Sequence, residues 1–178
     1  MLDEVVDPQN FGALVRSAYF LGGASSIENK SCIGVLVCKK NSAPISPVAS
    51  ASSAGALEYS TIYSCNNLPR ILNAAKDDGW RILGAAASAP AGMIDENTGE
   101  ALVCHDLPTL TDDRSTILVL GSEGYGLRTL VTRACTGFVR IPGSNDIDTQ
   151  GCAGVDSLNV SVTGGIMLWH LKQICGLH

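Results

Sequence analysis

Charge is scarce in this chain. Of its 178 residues only 16% are Asp, Glu, Lys or Arg, and acidic residues outnumber basic ones by 17 to 12, giving a formal net charge of −5. A protein that grips nucleic acid with its bulk surface carries the opposite balance, so any phosphate-binding surface is local or belongs to another segment. Aromatic residues are scarcer still, at 5%. No apolar run reaches the roughly 18 residues of a membrane-spanning helix, which leaves no membrane partner to expect. The seven cysteines (Cys32, Cys38, Cys65, Cys104, Cys135, Cys152 and Cys175) include no C-x-x-C pair and none beside a spaced His pair, so no metal site is expected. An odd number without a framework points to reduced thiols. His105, His170 and His178 have no partner spacing either. The patterns G-x-G-x-x-G, G-x-x-x-x-G-K-[ST] and G-x-S-x-G are all missing, which removes support for a dinucleotide oxidoreductase, a P-loop NTPase and a serine hydrolase.

What the chain has in quantity is small and apolar residues: 46% are hydrophobic and 19 are glycine. That suffices for one domain with a real core over residues 1–178. Leu2–Val6 reads as a short strand. Asp7-Pro8 then opens a helix whose apolar positions Phe11, Leu14, Val15, Ala18 and Leu21 recur at helical spacing up to Gly22-Gly23. Ile33–Cys38 reads as a buried strand, Asn41–Pro47 as a loop and Ser50–Glu58 as a short helix. Asn66 can cap a helix through Ala75 that Gly79 stops. Arg81–Ala87, Thr116–Leu120 and Phe138–Ile141 read as strands, Leu127–Cys135 and Leu158–Ile174 as helices. Ala89–Thr111 reads as a surface excursion and Gly143–Asp156 as a polar, glycine-rich loop. The alternation predicts an α/β fold, a parallel sheet with helices on both faces, whose ligands bind beyond the carboxyl ends of the strands. No internal repeat interrupts it.

Three segments carry chemistry. In Asn10-Phe-Gly-Ala-Leu-Val-Arg16, Asn10 sits in a first helical turn where backbone N–H groups are free, and Gly12 clears the helix face four residues before Arg16. Asn plus Arg at a helix start can hold a phosphate or a sugar edge. The bland alternative is a solvated arginine on an amphipathic helix. In Ile117-Leu-Val-Leu-Gly-Ser-Glu-Gly-Tyr-Gly-Leu127, an apolar strand runs into Gly121, Gly124 and Gly126, a turn that something approaches closely. Glu123 within it can bond a ligand or orient Arg16. In Ser157-Leu-Asn-Val-Ser-Val162, Ser157 reads as the helix N-cap, and Leu158, Val162, Ile166 and Trp169 form one apolar face. Asn159 is out of place by propensity, and Gly164-Gly165 inside a helix cost about 1 kcal/mol each against alanine, which close packing would offset.

These segments, in this order, resemble the three motifs of the SpoU/TrmH branch of the SPOUT methyltransferases: N-x-G-A-x-x-R, then G-S-E-G-x-G-L after an apolar strand, then S-L-N-V-S-V. Asn41-Ser-Ala-Pro and Ser53–Glu58 also look like family segments, so the likeness runs from near residue 3 to near residue 172. Within the family the chain is most similar to the mitochondrial large-subunit rRNA guanosine 2′-O-methyltransferases. The resemblance implies a C-terminal trefoil knot, S-adenosyl-L-methionine as cofactor, ribosomal RNA as substrate, a homodimer and a place in the mitochondrial matrix. The acidic start Met1–Asp7 has no features of a targeting peptide, and an N-terminal RNA-binding extension is expected to be absent. The alternatives within the same fold are a tRNA 2′-O-methyltransferase and a relative that binds RNA or the ribosome without catalysis. An unrelated α/β nucleotide-binding enzyme is a further rival.

Carried over position by position, the resemblance makes Arg16, Asn10, Glu123, Ser157 and Asn159 the catalytic group. Leu120, Gly121, Ile141, Pro142, Leu158 and Asn159 would hold the cofactor. Two positions depart from the family pattern: Asn145–Asp156 looks inserted, and Ala51 stands where relatives often carry a basic residue. The family proposal makes Arg16 a base. A guanidinium does not give up its proton in proteins, so Arg16 is better read as binding a neighbouring phosphate and stabilising the developing alkoxide. Lys39, Lys40, Arg128, Arg133 and Arg140 are candidates for a local basic edge.

Overall fold

The computed structural model describes residues 1–22, 33–88, 90, 92–94, 101–110, 114–143 and 157–174. The loop expected over Gly143–Asp156, apart from Gly143 itself, lies outside the described residues, as do Cys32, Cys152, Cys175 and His178.

Six strands are described: β1 (Val35–Cys38), β2 (Ile62–Cys65), β3 (Arg81–Ala85), β4 (Cys104–Asp106), β5 (Thr116–Val119) and β6 (Gly137–Arg140). β1 pairs with β2, and the other four run in the order β4-β6-β3-β5, every pairing parallel. The N-terminal segment joins the two groups. Leu2 bridges Val37 on one side and Leu120 on the other, both parallel, with Leu2 N–H donating to Leu36 C=O at 2.9 Å and Asp3 N–H to Leu120 C=O at 2.8 Å. This is less than the strand expected over Leu2–Val6. Glu4 takes φ +58°, which leaves the extended region and limits the bridging to Leu2.

Alternation along the strands decides which face each side chain feeds. Leu83, Leu118, Leu120 and Val139 enter one core together with Phe11, Leu14, Val15 and Met167. Their neighbours Ile82, Val119 and Phe138 enter the other, with Leu68, Leu72, Val131 and Cys135. Central parallel strands covered on both faces must be apolar at every position, as Ile82-Leu83 and Leu118-Val119-Leu120 are. Each such side chain contributes about 1.5–3 kcal/mol on burial.

On the first face lie α1 (Pro8–Gly22), α2 (Pro47–Ser53), α3 (Ala56–Tyr59) and α6 (Val160–Ile174). On the second lie α4 (Leu68–Asp77) and α5 (Thr129–Ala134). The ends follow local chemistry. The Asp7 carboxylate accepts from the N–H groups of Gln9 and Asn10, both at 3.2 Å, so α1 starts where its cap predicts. The helix expected over Ser50–Glu58 is two. Ser46 caps α2 by accepting from Ala49 N–H at 3.3 Å, and Ala54 (φ +51°) with Gly55 (φ +85°) separates it from α3. Asn67, not Asn66, caps α4, accepting from Arg70 N–H at 3.0 Å. The surface excursion at Ala89–Thr111 hides β4 and a 3₁₀ turn at Leu107–Thr109. Its three-residue strand Cys-His-Asp carries no β-branched residue or apolar alternation to reveal it.

Because all strands run the same way, their carboxyl ends form one edge. The turn after β5, the Ile141-Pro142 step after β6 and the N-termini of α1 and α6 all open onto it.

Candidate active site

Two of the three segments meet through hydrogen bonds to the third. Glu123 Oε1 accepts from Asn10 Nδ2 at 3.1 Å, from Asn159 Nδ2 at 2.5 Å and from Val160 N–H at 3.2 Å. Asn159 Nδ2 also donates to Asn10 Oδ1 at 3.0 Å. Residues separated by 113 and 36 positions in sequence thus share one carboxylate oxygen. Asn10 is buried, at 9% exposure, while Glu123 and Asn159 face solvent. Of the two roles expected for Glu123, orienting Arg16 is not found among the described residues: its oxygen serves Asn10, Asn159 and the start of α6.

Local structure explains the placement. Gly124 (φ +99°) and Gly126 (φ +67°) occupy the left-handed region that side chains avoid. Ser122 and Gly126 exchange both backbone hydrogen bonds at 3.0 Å, closing a tight loop around Glu123. A Cβ on Gly121 would strike the Gly126 carbonyl and come within 2.7 Å of Leu127 N, so glycine is required for the strand to turn there. The helix cap also differs from expectation. α6 begins at Val160, and Asn159 is the residue before it, its Oδ1 accepting from Ser161 N–H at 2.9 Å and Ser161 Oγ at 2.5 Å. Asn159 therefore lies outside the helix, and its low helix propensity is no cost there. Ser157 is exposed, makes no hydrogen bond among the described residues, and is neither the cap nor a member of the cluster.

Arg16 is exposed and has no hydrogen-bond partner among the described residues. Six residues after Asn10, it points about 120° away round the helix. Asn10 looks inward to Glu123; Arg16 looks out beside Phe20, which is 81% exposed. Gly12 does not clear the Arg16 face. It is buried against α2, where a Cβ would meet the Ala49 carbonyl and stand 3.0 Å from Ser53 N. Of the glycine pair in α6, Gly164 is tightly packed, its virtual Cβ against Leu14 and 2.8 Å from Leu120, whereas Gly165 meets only Ser17 Oγ at 3.6 Å. Met167 is buried at 1%, so it does not extend the outer surface; Val162, Ile166 and Trp169 do, at 48%, 39% and 54%.

The expected cofactor positions share one rim. Leu120 and Gly121 follow β5 and are buried; Ile141 and Pro142 follow β6; Leu158 precedes α6 and is half exposed. β3 lies between β5 and β6, ends at Ala85 and is followed by Ala86, both small side chains. Two of the basic-edge candidates are already neutralised. The Arg128 side chain bonds the buried Asp3 carboxylate at 2.7 Å (Nε) and 2.6 Å (Nη2), and its N–H donates to Asp3 Oδ2 at 2.9 Å. The Asp3 carboxylate, bonded to that guanidinium, holds it protonated more firmly than usual. Arg140 pairs with Asp106 at 2.6 Å. Lys39, Lys40 and Arg133 remain exposed. Asp3 was missed in the sequence because an acidic N-terminal residue gives no sign of burial. Cys38, Cys65, Cys104 and Cys135 are free thiols.

A doubly covered parallel sheet, with side chains drawn into one cluster beyond its strand ends, defines an α/β protein of the class that binds ligands at that edge. The SpoU rRNA Methylase family matches residues 1–169, and the chain belongs to it. It is 38% identical over 170 residues to the "rRNA methyltransferase 1, mitochondrial" of Schizosaccharomyces pombe, covering 96% of this chain and 49% of that protein. To the human protein of the same name it is 36% identical, covering 94% and 43%. The chain thus spans less than half the length of these curated relatives. The fold is that of the AdoMet-bound SpoU methyltransferase AviRb from Streptomyces viridochromogenes (TM-score 0.70, 19% identity, 97% of this chain and 58% of that one). It is also that of the A. aeolicus TrmH/SpoU tRNA modifying enzyme (TM-score 0.67, 20% identity, 97% and 72%).

Proposed function

We propose that this chain is the catalytic domain of an RNA ribose 2′-O-methyltransferase, acting on a guanosine of mitochondrial large-subunit ribosomal RNA in the matrix. The observation that carries the reading is the Asn10–Glu123–Asn159 cluster, because it ties the three family motifs together at the strand ends where the residues expected to hold S-adenosyl-L-methionine lie. The mitochondrial relatives support the rRNA substrate and the compartment. The family likeness likewise supports a C-terminal trefoil knot.

Main-chain groups of Gly121, Ile141 and Leu158, beside the apolar surfaces of Leu120 and Pro142, would hold the cofactor, which supplies an electrophilic methyl group when bound. Asn10 and Asn159, fixed by Glu123, orient the ribose. Alignment of this kind can supply on the order of 7–11 kcal/mol. Arg16 binds a neighbouring phosphate and stabilises charge developing on the 2′-oxygen. That hydroxyl is what separates RNA from DNA as substrate.

Arg16 cannot serve the cluster of its own chain while it points away from it. Its helix face carries Phe20 and Ser17, and adjoins the exposed Val162, Ile166 and Trp169 of α6. A second copy packed on this two-helix surface by two-fold symmetry would bury the apolar stripe and bring each Arg16 to the partner's cluster. The test has two parts. Calorimetry should show S-adenosylmethionine and its demethylated product binding to wild type and to Arg16→Ala alike, while Arg16→Ala loses transfer. Co-expressing Arg16→Ala with Asn159→Ala should restore part of the activity. Absence of binding by folded protein overturns the cofactor assignment. If Arg16→Ala retains more than about a tenth of the rate, a loss below about 1.4 kcal/mol, its role is wrong. Monomeric mass with no complementation refutes the shared site.

A further inference from the structure

The most exposed large side chain near the cluster takes no part in the cluster's hydrogen bonds. Tyr125 is 97% exposed at the tip of the Ser122–Gly126 loop. Other rings on this chain also reach solvent, but none as fully: Phe20 is next at 81%. The loop is also built to keep it there. Glycines in the left-handed region stand on both sides of it, Gly124 at φ +99° and Gly126 at φ +67°. The paired Ser122–Gly126 hydrogen bonds at 3.0 Å close the loop, and Gly121 packs against the Gly126 backbone beneath it. On the far side, Leu127 anchors the exit by reaching β3, its Cδ1 2.7 Å from where a Cβ on Gly84 would stand. On the near side, Glu123 is tied to Asn10, Asn159 and Val160. The ring therefore projects from a braced support, two residues from Glu123 and so at most about 7 Å along the chain.

We infer that Tyr125 is a stacking platform for an unpaired RNA base next to the ribose held at Asn10 and Asn159. This rests on the RNA-methylating reading of the site and adds a residue that positions the substrate. Specific recognition of RNA favours unpaired bases splayed onto aromatic faces, and a ring held open on one side offers such a face. In a chain of net charge −5, stacking supplies a hold on RNA that phosphate attraction does not. The phenolic oxygen is not needed for stacking, so phenylalanine substitutes and alanine does not.

The test uses full-length wild type, Tyr125→Phe and Tyr125→Ala, with single-stranded RNA oligonucleotides carrying 5-iodouridine at each position in turn. Irradiation should give a cross-link to the peptide containing Tyr125, retained in Tyr125→Phe and lost in Tyr125→Ala. RNA affinity should fall in Tyr125→Ala by about 5- to 150-fold. In methyl transfer to a ribosomal RNA transcript, the KM for RNA should rise by a similar factor while kcat at saturation and cofactor affinity hold. Tyr125→Phe should match wild type in all of these. Cross-links that map elsewhere, wild-type RNA affinity in Tyr125→Ala, or no RNA binding by folded protein would each overturn the inference. The two readings fail separately. Transfer at wild-type KM by Tyr125→Ala sinks the platform alone, and a Tyr125 cross-link without any methyl transfer sinks the enzymatic reading alone.

Discussion

Gly12→Ala sets local preference against packing at a single methyl group. In an isolated helix the change stabilises by about 1 kcal/mol, because alanine gives up less backbone freedom than glycine. Here the methyl would meet the Ala49 carbonyl, Ser52 Cβ at 2.8 Å and Ser53 N at 3.0 Å. Two of these three atoms are backbone of α2 and cannot rotate away, so α1 and α2 must separate. Overpacking of this kind costs about 1–3 kcal/mol, and the rigid neighbours put Gly12 at the upper end. The net expectation is a destabilisation of about 1–2 kcal/mol, a fall in Tm of roughly 2–8 °C for a chain of this size. Gly165→Ala is the control, because its methyl would meet only Ser17 Oγ at 3.6 Å. The same chemical change there should stabilise by up to about 1 kcal/mol. Urea denaturation at one fixed protein concentration, read as midpoint and slope, measures both. A Gly12→Ala protein as stable as wild type would refute the packing, and with it the account of how α1 is held to present Asn10. Because α1 moves, Gly12→Ala should also weaken methyl transfer, more than its loss of stability alone accounts for.

Asp3→Ala should cost about 2–3 kcal/mol in urea unfolding. It removes a fully buried carboxylate from three close donors of Arg128, and the figure sits below that for a wholly buried pair because the arginine is partly solvated; a cost under about 0.5 kcal/mol would mean the pair contributes nothing. Burial pushes the Cys135 thiol up to about 12, with the Asp3 charge adding to it. The folded state therefore keeps a proton that the unfolded chain releases near the ordinary thiol value. The stability this gives is fully present below the unfolded value and is lost as pH rises toward about 12. The urea midpoint of wild type should thus fall more steeply over alkaline pH than that of Cys135→Ala, and equal slopes would remove the effect.

Much of the fold was legible because its signals are local. Asp7 before Pro8 marked the start of α1, and the segments 81–87, 116–120 and 138–141 read as strands where β3, β5 and β6 are found. The errors fall where a neighbour distant in sequence decides. Glu4 leaves the extended region and shortens the first strand to the one bridged residue, Leu2. β4 exists because β6 offers Phe138–Arg140 to pair with, and nothing in Cys-His-Asp announces it. Asn10, Glu123 and Asn159 were picked out by type and position, but their shared oxygen was not, because sequence spacing carries no distance between segments.

The last helix shows the limit most directly. Apolar residues recur along α6 on two sides, and periodicity alone cannot say which side meets the core. The structure buries Gly164, Met167 and Leu171 and leaves Val162, Ile166 and Trp169 outside. The close packing expected at Gly164-Gly165 is found at Gly164, which lets α6 pack against Leu14 and Leu120 of its own chain. A stripe that is apolar and yet not used by the core is stable in water only at a cost of about 25 cal/mol per Å² of surface. Core-forming and interface-forming residues obey the same transfer energetics, so a sequence writes them in the same letters. Only the fold, by filling one side of the helix, shows which apolar residues stay exposed, and in the proposed dimer Arg16 on the adjoining face of α1 would give that stripe a chemical use.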